Sequence, residues 1–375
     1  MSTRSLLFAY SICTLASAHV GCTDPASSAD TLRSAAARAG VSIGSAAHDR
    51  FIRGDEDPEY RAVLAREFDS VTPYTAMKWG QIHPEPDRYD FTGADAIVEH
   101  AEANQMRVRG HTLIWGGAVD PPNPEYVNEA ASPEELRALM IAHIQTVMAR
   151  YRGRVDRWDV VNEALTLLGE AGDTNALQDH VFLQQLGPGY IAEALELAHA
   201  VDPDARLFVN ENFVLNPGPK QDRYFELVQE LLSTDAPLHG VGFQTHLYFL
   251  PGGGADAIDA PTEEEMRATL SRFAALGVDV EITELNVHTW RFEGDRDHRL
   301  AQQAEVYGDA ARACLSVPAC RAVTVWLFTD RYPTTVESLF GRDGEPLLFD
   351  DDYAAKPAYG EVLDALRAGR PGEDP

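Results

Sequence analysis

The sequence predicts an α/β protein built as a single closed (βα)8, or TIM, barrel. Three observations point there. From residue 32 onward the 375-residue chain repeats one pattern, a short apolar run, a loop and an amphipathic helix. Eight such runs alternate with helices over about 330 residues, a usual size for a closed parallel barrel in one domain. No glycine-rich phosphate loop follows any early run, as a doubly wound nucleotide-binding sheet would require.

The elements follow in order. Strands are expected at 41–46, 70–72, 107–113, 157–161, 206–209, 240–244, 279–283 and 322–327. Helices are expected at 58–68, 94–105, 133–151, 190–201, 220–232, 262–276 and 299–316. Ser132, Pro133 and the pair Glu134-Glu135 make a good helix start. Thr262 with Glu265 makes a capping box. In such barrels the chemistry sits at the C-terminal ends of the strands, so that rule selects the residues to inspect.

Acidic residues outnumber basic ones 59 to 31, a formal charge of −28. Such a surface repels nucleic acid and anionic headgroups and tolerates neutral partners such as polysaccharides. No spacing of His, Cys or acidic residues suggests a metal, and no cofactor is expected.

Residues 1–21 read as an export signal: Arg4, then the apolar run 6–16, then Ala16-Ser17-Ala18 as a cleavage site. A second reading takes Cys22 as the first mature residue, lipid-anchored, because Val20-Gly21-Cys22 resembles the end of a bacterial lipoprotein box. His19 departs from that box. Residues 22–31 are small and polar, as a tether would be, and 32–375 form the barrel. Cys13 leaves with the signal, Cys314 and Cys320 can bridge in an oxidising compartment, and Cys22 is left over. The chain is therefore expected outside the bacterial cytoplasm, either free or on the outer surface, and as a monomer.

Two strands end on a carboxylate. Residues 158–163 read Trp-Asp-Val-Val-Asn-Glu and 280–284 read Val-Glu-Ile-Thr-Glu. Either Glu alone would read as a helix cap or an ion-pair partner. Two carboxylates across one barrel mouth are what glycoside cleavage requires, one to protonate the leaving oxygen and one to attack the anomeric carbon. Asn162, directly before the first Glu, can bond a sugar 2-hydroxyl.

On these residues the chain resembles glycoside hydrolase family 10, the family of endo-β-1,4-xylanases. The likeness runs from about residue 32 to residue 366 and is carried by several segments. They are Arg109-Gly110-His111-Thr112-Leu113-Ile114-Trp115, Trp158 to Ala164, Gly242-Phe243-Gln244-Thr245-His246, Ile282-Thr283-Glu284-Leu285 and the tail Leu347-Leu348-Phe349-Asp350 with Lys356-Pro357-Ala358-Tyr359. The resemblance implies a retaining, endo-acting hydrolase with Glu163 as acid/base and Glu284 as nucleophile. It implies that Asn162, Lys78, His111 and Trp115 line the sugar pocket. Gln244 and His246 would orient the nucleophile, and Trp326 would offer a flat platform to a sugar face. Cys314 and Cys320 look like the family's short disulfide loop.

Departures from the family pattern cluster on one side of that pocket. Tyr74 and Thr75 stand in place of Glu-Asn before Met77-Lys78-Trp79. Gly116, Gly117 and Ala118 replace His-x-Gln, Asn286 replaces Asp, and Pro333-Thr334 replaces Ser-Trp. The strand-five pattern is altered in Asn210-Glu211-Asn212-Phe213. Losing designed hydrogen-bond partners shifts selectivity. The expectation is a wider pocket, opened by Gly116 and Thr334, that takes glucosyl or decorated units. Asn286→Asp is expected to move a limb of the pH–rate profile. The rival reading is a cell-surface glycan-binding protein on a degenerate barrel.

Overall fold

The computed structural model describes residues 30–116, 123–166, 177–247, 260–334, 337, 338, 341 and 344–372. The export signal, Cys22 and the tether up to residue 29 lie outside them, as do Gly117 and Ala118. Thr31, expected in the tether, instead caps the first helix, Leu32–Arg38, by accepting from the Ser34 backbone N–H.

Eight parallel strands close on themselves. They are β1 (Ser42–Ala47), β2 (Ser70–Pro73), β3 (Arg107–Trp115), β4 (Arg157–Asn162), β5 (Arg206–Asn212), β6 (Gly240–Gln244), β7 (Asp279–Val287) and β8 (Cys320–Val325). Each pairs with the next, β6 meets β7 directly, and β1 pairs with β8 to complete the ring. The two residues His246–Leu247 continue beyond β6 and pair with Asn286 and Val287. That extension brings His246 level with the end of β7.

Every expected strand forms, but β3, β5 and β7 run further than the apolar pattern suggests. On β5 and β7 the extra residues bring polar side chains, Asn210, Glu211 and Asn212 on the one and Glu284 and Asn286 on the other. The ladder bonds are made by the backbone, so polar side chains continue a strand where they find partners beside the barrel mouth.

The helices lie around the ring. The 133–151 helix forms as expected, with Ser132 capping the Glu135 N–H. The Thr262–Glu265 capping box starts Glu263–Ala274. The chain's last helix, Pro357–Ala368, packs on Leu32–Arg38 and on Arg296–Leu315. Close approach inside the barrel depends on Gly110, where a Cβ would stand 2.2 Å from the Trp158 ring. Cys314, in Arg296–Leu315, is bridged to Cys320 at the start of β8 with an S–S distance of 2.06 Å.

Candidate active site

The strand ends deliver a ring of polar side chains to one face. Glu284, near the end of β7, is only 3% exposed. Its Oε1 accepts from Asn210 Nδ2 at 2.7 Å, and its Oε2 lies 3.0 Å from His246 Nε2. Burial works against the Glu284 anion. The hydrogen bond from His246 and the charges of His111 and His246 outweigh it and hold the carboxyl below its ordinary range. Glu284 is thus kept ionised, as a nucleophile must be.

Glu163 follows β4 and is half-buried. Its backbone adopts φ 53°, a region that side chains other than glycine rarely occupy. The surroundings fix it there. Its N–H donates to Asn210 O at 2.8 Å, and two residues on, the Leu165 N–H donates to buried Glu211 at 2.9 Å. Glu211 is in turn ion-paired with buried Lys220 at 2.9 Å. Trp115 Nε1 donates to Glu163 Oε2 at 2.7 Å. Lys78 Nζ stands over the Trp115 ring, 4.3 Å from its centroid.

Asn162 lies between the two carboxylates. Its Oδ1 accepts from Asn210 Nδ2 at 2.8 Å and from Gln244 Nε2 at 3.0 Å. Two donors on one oxygen fix the orientation of the amide and leave its NH2 for a sugar hydroxyl. Gln244 was expected to approach the nucleophile, but its amide is spent on Asn162. Asn210 takes the place beside Glu284, because β5 carries it to the same level. Thr283 Oγ1 donates to Asn210 Oδ1 at 2.7 Å and orients it in turn.

A second buried network sits below. His111 Nδ1 lies 2.9 Å from Asp159 Oδ2. Arg109 Nε donates to Asp159 Oδ2 at 2.9 Å and its Nη1 donates to Glu281 at 2.8 Å. Arg157 also pairs with Glu281. Burial opposes the Asp159 anion, but the Arg109 charge and the His111 hydrogen bond hold its carboxyl below the usual range. An ionised Asp159 makes Nδ1 of His111 a donor and turns Nε2 away from that pair. Removing one member would leave a buried charge unpaired and cost about 3–5 kcal/mol.

The β1–β2–β8 side is built differently. Tyr74 is 6% exposed and Trp326 8%, and the two share a small apolar cluster with Ala46, Leu327 and Leu347. Trp326 lies 5.4 Å from Tyr74, 5.3 Å from His111 and 6.0 Å from His246, ring to ring. It forms wall more than platform. Gly116, expected to open the pocket, leaves no free space. A Cβ on Gly116 would stand 2.0 Å from His180 Cδ2, so the space is filled by a histidine from another loop. Thr334 is buried, and its N–H donates to Glu337 at 2.9 Å.

Contacts connect Glu163, Glu284, Asn162, Lys78, Trp115, Gln244, His246, His111 and Trp326 through Tyr74 and Asn210, whereas Cys314 and Cys320 sit apart at the start of β8. Asn210, Asp159, Glu211 and His180 were missed. Asn210 stands on a strand end, the signal that selected the others. Among the described residues, no three His, Cys, Asp or Glu side chains are grouped to hold a metal ion.

The profile of glycosyl hydrolase family 10 matches residues 31–365. Endo-1,4-beta-xylanase B of Thermotoga neapolitana is 35% identical over 92% of this chain and 95% of its own. The structure of xylanase 10B from Thermotoga petrophila RKU-1 in complex with xylobiose superposes with a TM-score of 0.81 at 34% identity, covering 92% of this chain and 99% of that one. Native xylanase 10B from Thermotoga maritima superposes with a TM-score of 0.80 at 35% identity, covering 90% and 98%. These likenesses span the barrel and both glutamates, and they favour hydrolysis over the glycan-binding alternative. The chain belongs to glycosyl hydrolase family 10 and is a xylanase-like glycoside hydrolase.

Proposed function

We propose that the chain cleaves β-1,4-linked xylan or a closely related plant polysaccharide within the chain and with retention. One observation carries this reading. Glu163 follows β4 and Glu284 stands near the end of β7 at one barrel mouth, the second held as an anion by His246 and His111. In the first step protonated Glu163 gives its proton to the glycosidic oxygen. Glu284 attacks the anomeric carbon, the bond to the leaving oxygen breaks, and a covalent glycosyl-enzyme forms. In the second step Glu163, now a carboxylate, takes a proton from water. That water attacks the same carbon and releases Glu284. The Asn162 NH2 holds the 2-hydroxyl through both steps, and Lys78, His111 and Trp115 line the same pocket. Gln244 and Asn210 keep Asn162 turned toward the sugar.

The test is hydrolysis of aryl β-xyloside, xylobioside, glucoside and cellobioside by wild type and Glu284→Ala. Preference for the xylobioside supports xylan. Preference for a gluco-substrate redirects the proposal to glucans. No turnover above the variant on any of them overturns the hydrolytic reading.

The protein is further proposed to act outside the cytoplasm, either secreted or anchored on the outer surface through a lipid on Cys22. The n-region at Arg4, the apolar run and Cys22 support this. Loss of membrane association in Cys22→Ser would separate the anchored form from the free one. We propose a monomer, since one chain supplies every residue of the site.

A further inference from the structure

We infer that Glu211, paired with Lys220, is a positioning residue for the acid/base. It clamps the turn that carries Glu163 through the Leu165 backbone N–H, and so aims the Glu163 carboxyl at the leaving oxygen. The inference rests on the hydrolase reading above and extends it to how the acid/base is held.

The strand sets up the clamp. Successive side chains of a strand point to opposite faces. On β5, Asn210 points into the barrel mouth, to Glu284 and Asn162. Glu211 points the other way, and there it meets Lys220 from the first turn of Pro219–Ser233. Both side chains are buried. Both oxygens of Glu211 are in use. Oε1 accepts from the Asn212 N–H at 3.0 Å and pairs with Lys220 Nζ at 2.9 Å. Oε2 accepts from the Leu165 N–H at 2.9 Å. Lys220 also donates to Asn212 Oδ1.

The clamp acts where the sheet stops. β4 ends at Asn162, and Glu163 follows it with φ 53°. A residue in that region persists only when its surroundings over-determine it. Three bonds do so. The Glu163 N–H donates to Asn210 O, and the Leu165 N–H donates to Glu211. Those two acceptors are neighbours on one strand. From the other side the Gln178 N–H donates to Ala164 O at 2.8 Å.

A buried ion pair is a costly way to satisfy one N–H. Apolar groups of similar volume often serve stability as well or better. What the pair adds is direction. With Oε1 pinned by Lys220 and the Asn212 N–H, Oε2 has one place to stand. Lys220 has a second effect. Burial pushes the Glu211 carboxyl up and the Glu163 charge adds to the rise, against the pull of Lys220. The two carboxylates are therefore near enough to repel. Lys220 lets an anionic clamp stand beside a group that itself becomes an anion after the first step.

The experiment compares wild type with two double variants, Glu211→Leu with Lys220→Met and Glu211→Gln with Lys220→Met. Neither leaves a buried charge unpaired. Only the glutamine keeps an oxygen for the Leu165 N–H. kcat/KM is measured on dinitrophenyl β-xylobioside, whose phenol leaves unaided, and on phenyl β-xylobioside, whose phenol needs the proton. The ratio of the first to the second should rise about tenfold or more in the leucine variant, since a small displacement of a reacting group can cost about a hundredfold. It should return toward the wild-type value in the glutamine variant. Equal losses on both substrates would leave only a structural role and overturn the inference. The same ratio in both variants overturns it too, because the oxygen would then not matter. If wild type turns over neither substrate, the hydrolase reading fails by itself. Hydrogen exchange of the Leu165 amide then decides the clamp: faster exchange in the leucine variant than in the glutamine variant supports it, and equal exchange overturns it.

Discussion

The two halves of the barrel mouth solve different problems. On the β4–β7 side, Glu284, Asn210, Asn162, Gln244 and Thr283 are tied in one connected set of hydrogen bonds. The amides of Asn162 and Asn210 there have one orientation, because each oxygen meets a donor. On the β1–β2–β8 side, His48, Tyr74 and Trp326 pack ring against ring. Tyr74, Thr75, Pro333 and Thr334 are the departures on that side, whereas Gly116 follows β3, Phe213 follows β5 and Asn286 lies on β7. The difference separates chemistry from choice. A hydrogen-bonded set positions charge and tolerates little change. An aromatic wall shapes the space for a sugar and can be repacked at lower cost.

The comparison breaks most sharply at the carboxylates. Glu284→Ala should lower kcat by about five orders of magnitude on every substrate, since it removes the nucleophile. Glu163→Ala should show a split. Xylan needs its leaving oxygen protonated and should lose about a thousandfold or more. An aryl glycoside with an acidic phenol leaves without that proton, so its first step should be far less affected. A burst of phenol followed by slow turnover would mark the lost base. Equal losses on both substrates would reassign Glu163.

Asn210→Ala tests the connected half one layer out. It removes donors to both Glu284 and Asn162 and leaves Thr283 without its acceptor. Loss of one positioned donor at a reacting charge costs about a hundredfold in kcat. KM should move little. A change confined to KM would show that Asn210 serves substrate binding alone.

Much of this was legible in the sequence. The alternation of strands and helices gave the barrel, and the rule that chemistry sits at strand ends selected Glu163, Glu284 and their neighbours. What was not legible came from meetings across the ring. Asn210 and Glu284 are 74 residues apart, and only the closed register brings their side chains together. Polar strand ends such as 210–212 lack the apolar pattern that marks a strand, so β5 seemed to stop early. His180 was hidden for a related reason. Gly116 reads as lost bulk until the fold shows another loop filling the gap.

That gap supplies the next test. Gly116→Ala should destabilise the protein by about 1–3 kcal/mol, because the new Cβ meets the His180 ring. Adding His180→Ala should recover much of the loss, a coupling that unrelated sites would not show. The double substitution Gly116→His with His180→Ala would put the imidazole back on β3's end, as in the family pattern. Recovered folding with altered preference among the aryl glycosides would show that the end of β3 takes part in choice. An additive Gly116→Ala and His180→Ala pair in thermal unfolding would sink the filling argument.

The smallest effect is expected where the two halves meet. His246 Nδ1 lies 3.2 Å from Asn286 Oδ1, and its Nε2 faces Glu284. An asparagine can accept a proton from the ring or, with its amide turned over, donate one to it. The imidazole can therefore keep a proton on Nε2 for Glu284 whether or not its other nitrogen carries one. An aspartate at 286 could only accept. Both ring nitrogens would then need protons to keep both bonds, and the ring would be cationic. A cation beside Glu284 favours its anion further, beyond the lowering already present. Asn286→Asp should thus carry the acidic limb of the kcat/KM profile to lower pH, by roughly a unit or less for a partly exposed partner. The more stabilised carboxylate is also a poorer nucleophile, so kcat at the plateau should fall by a few-fold. Superimposable profiles for wild type and Asn286→Asp would mean that the residue under His246 does not govern its proton.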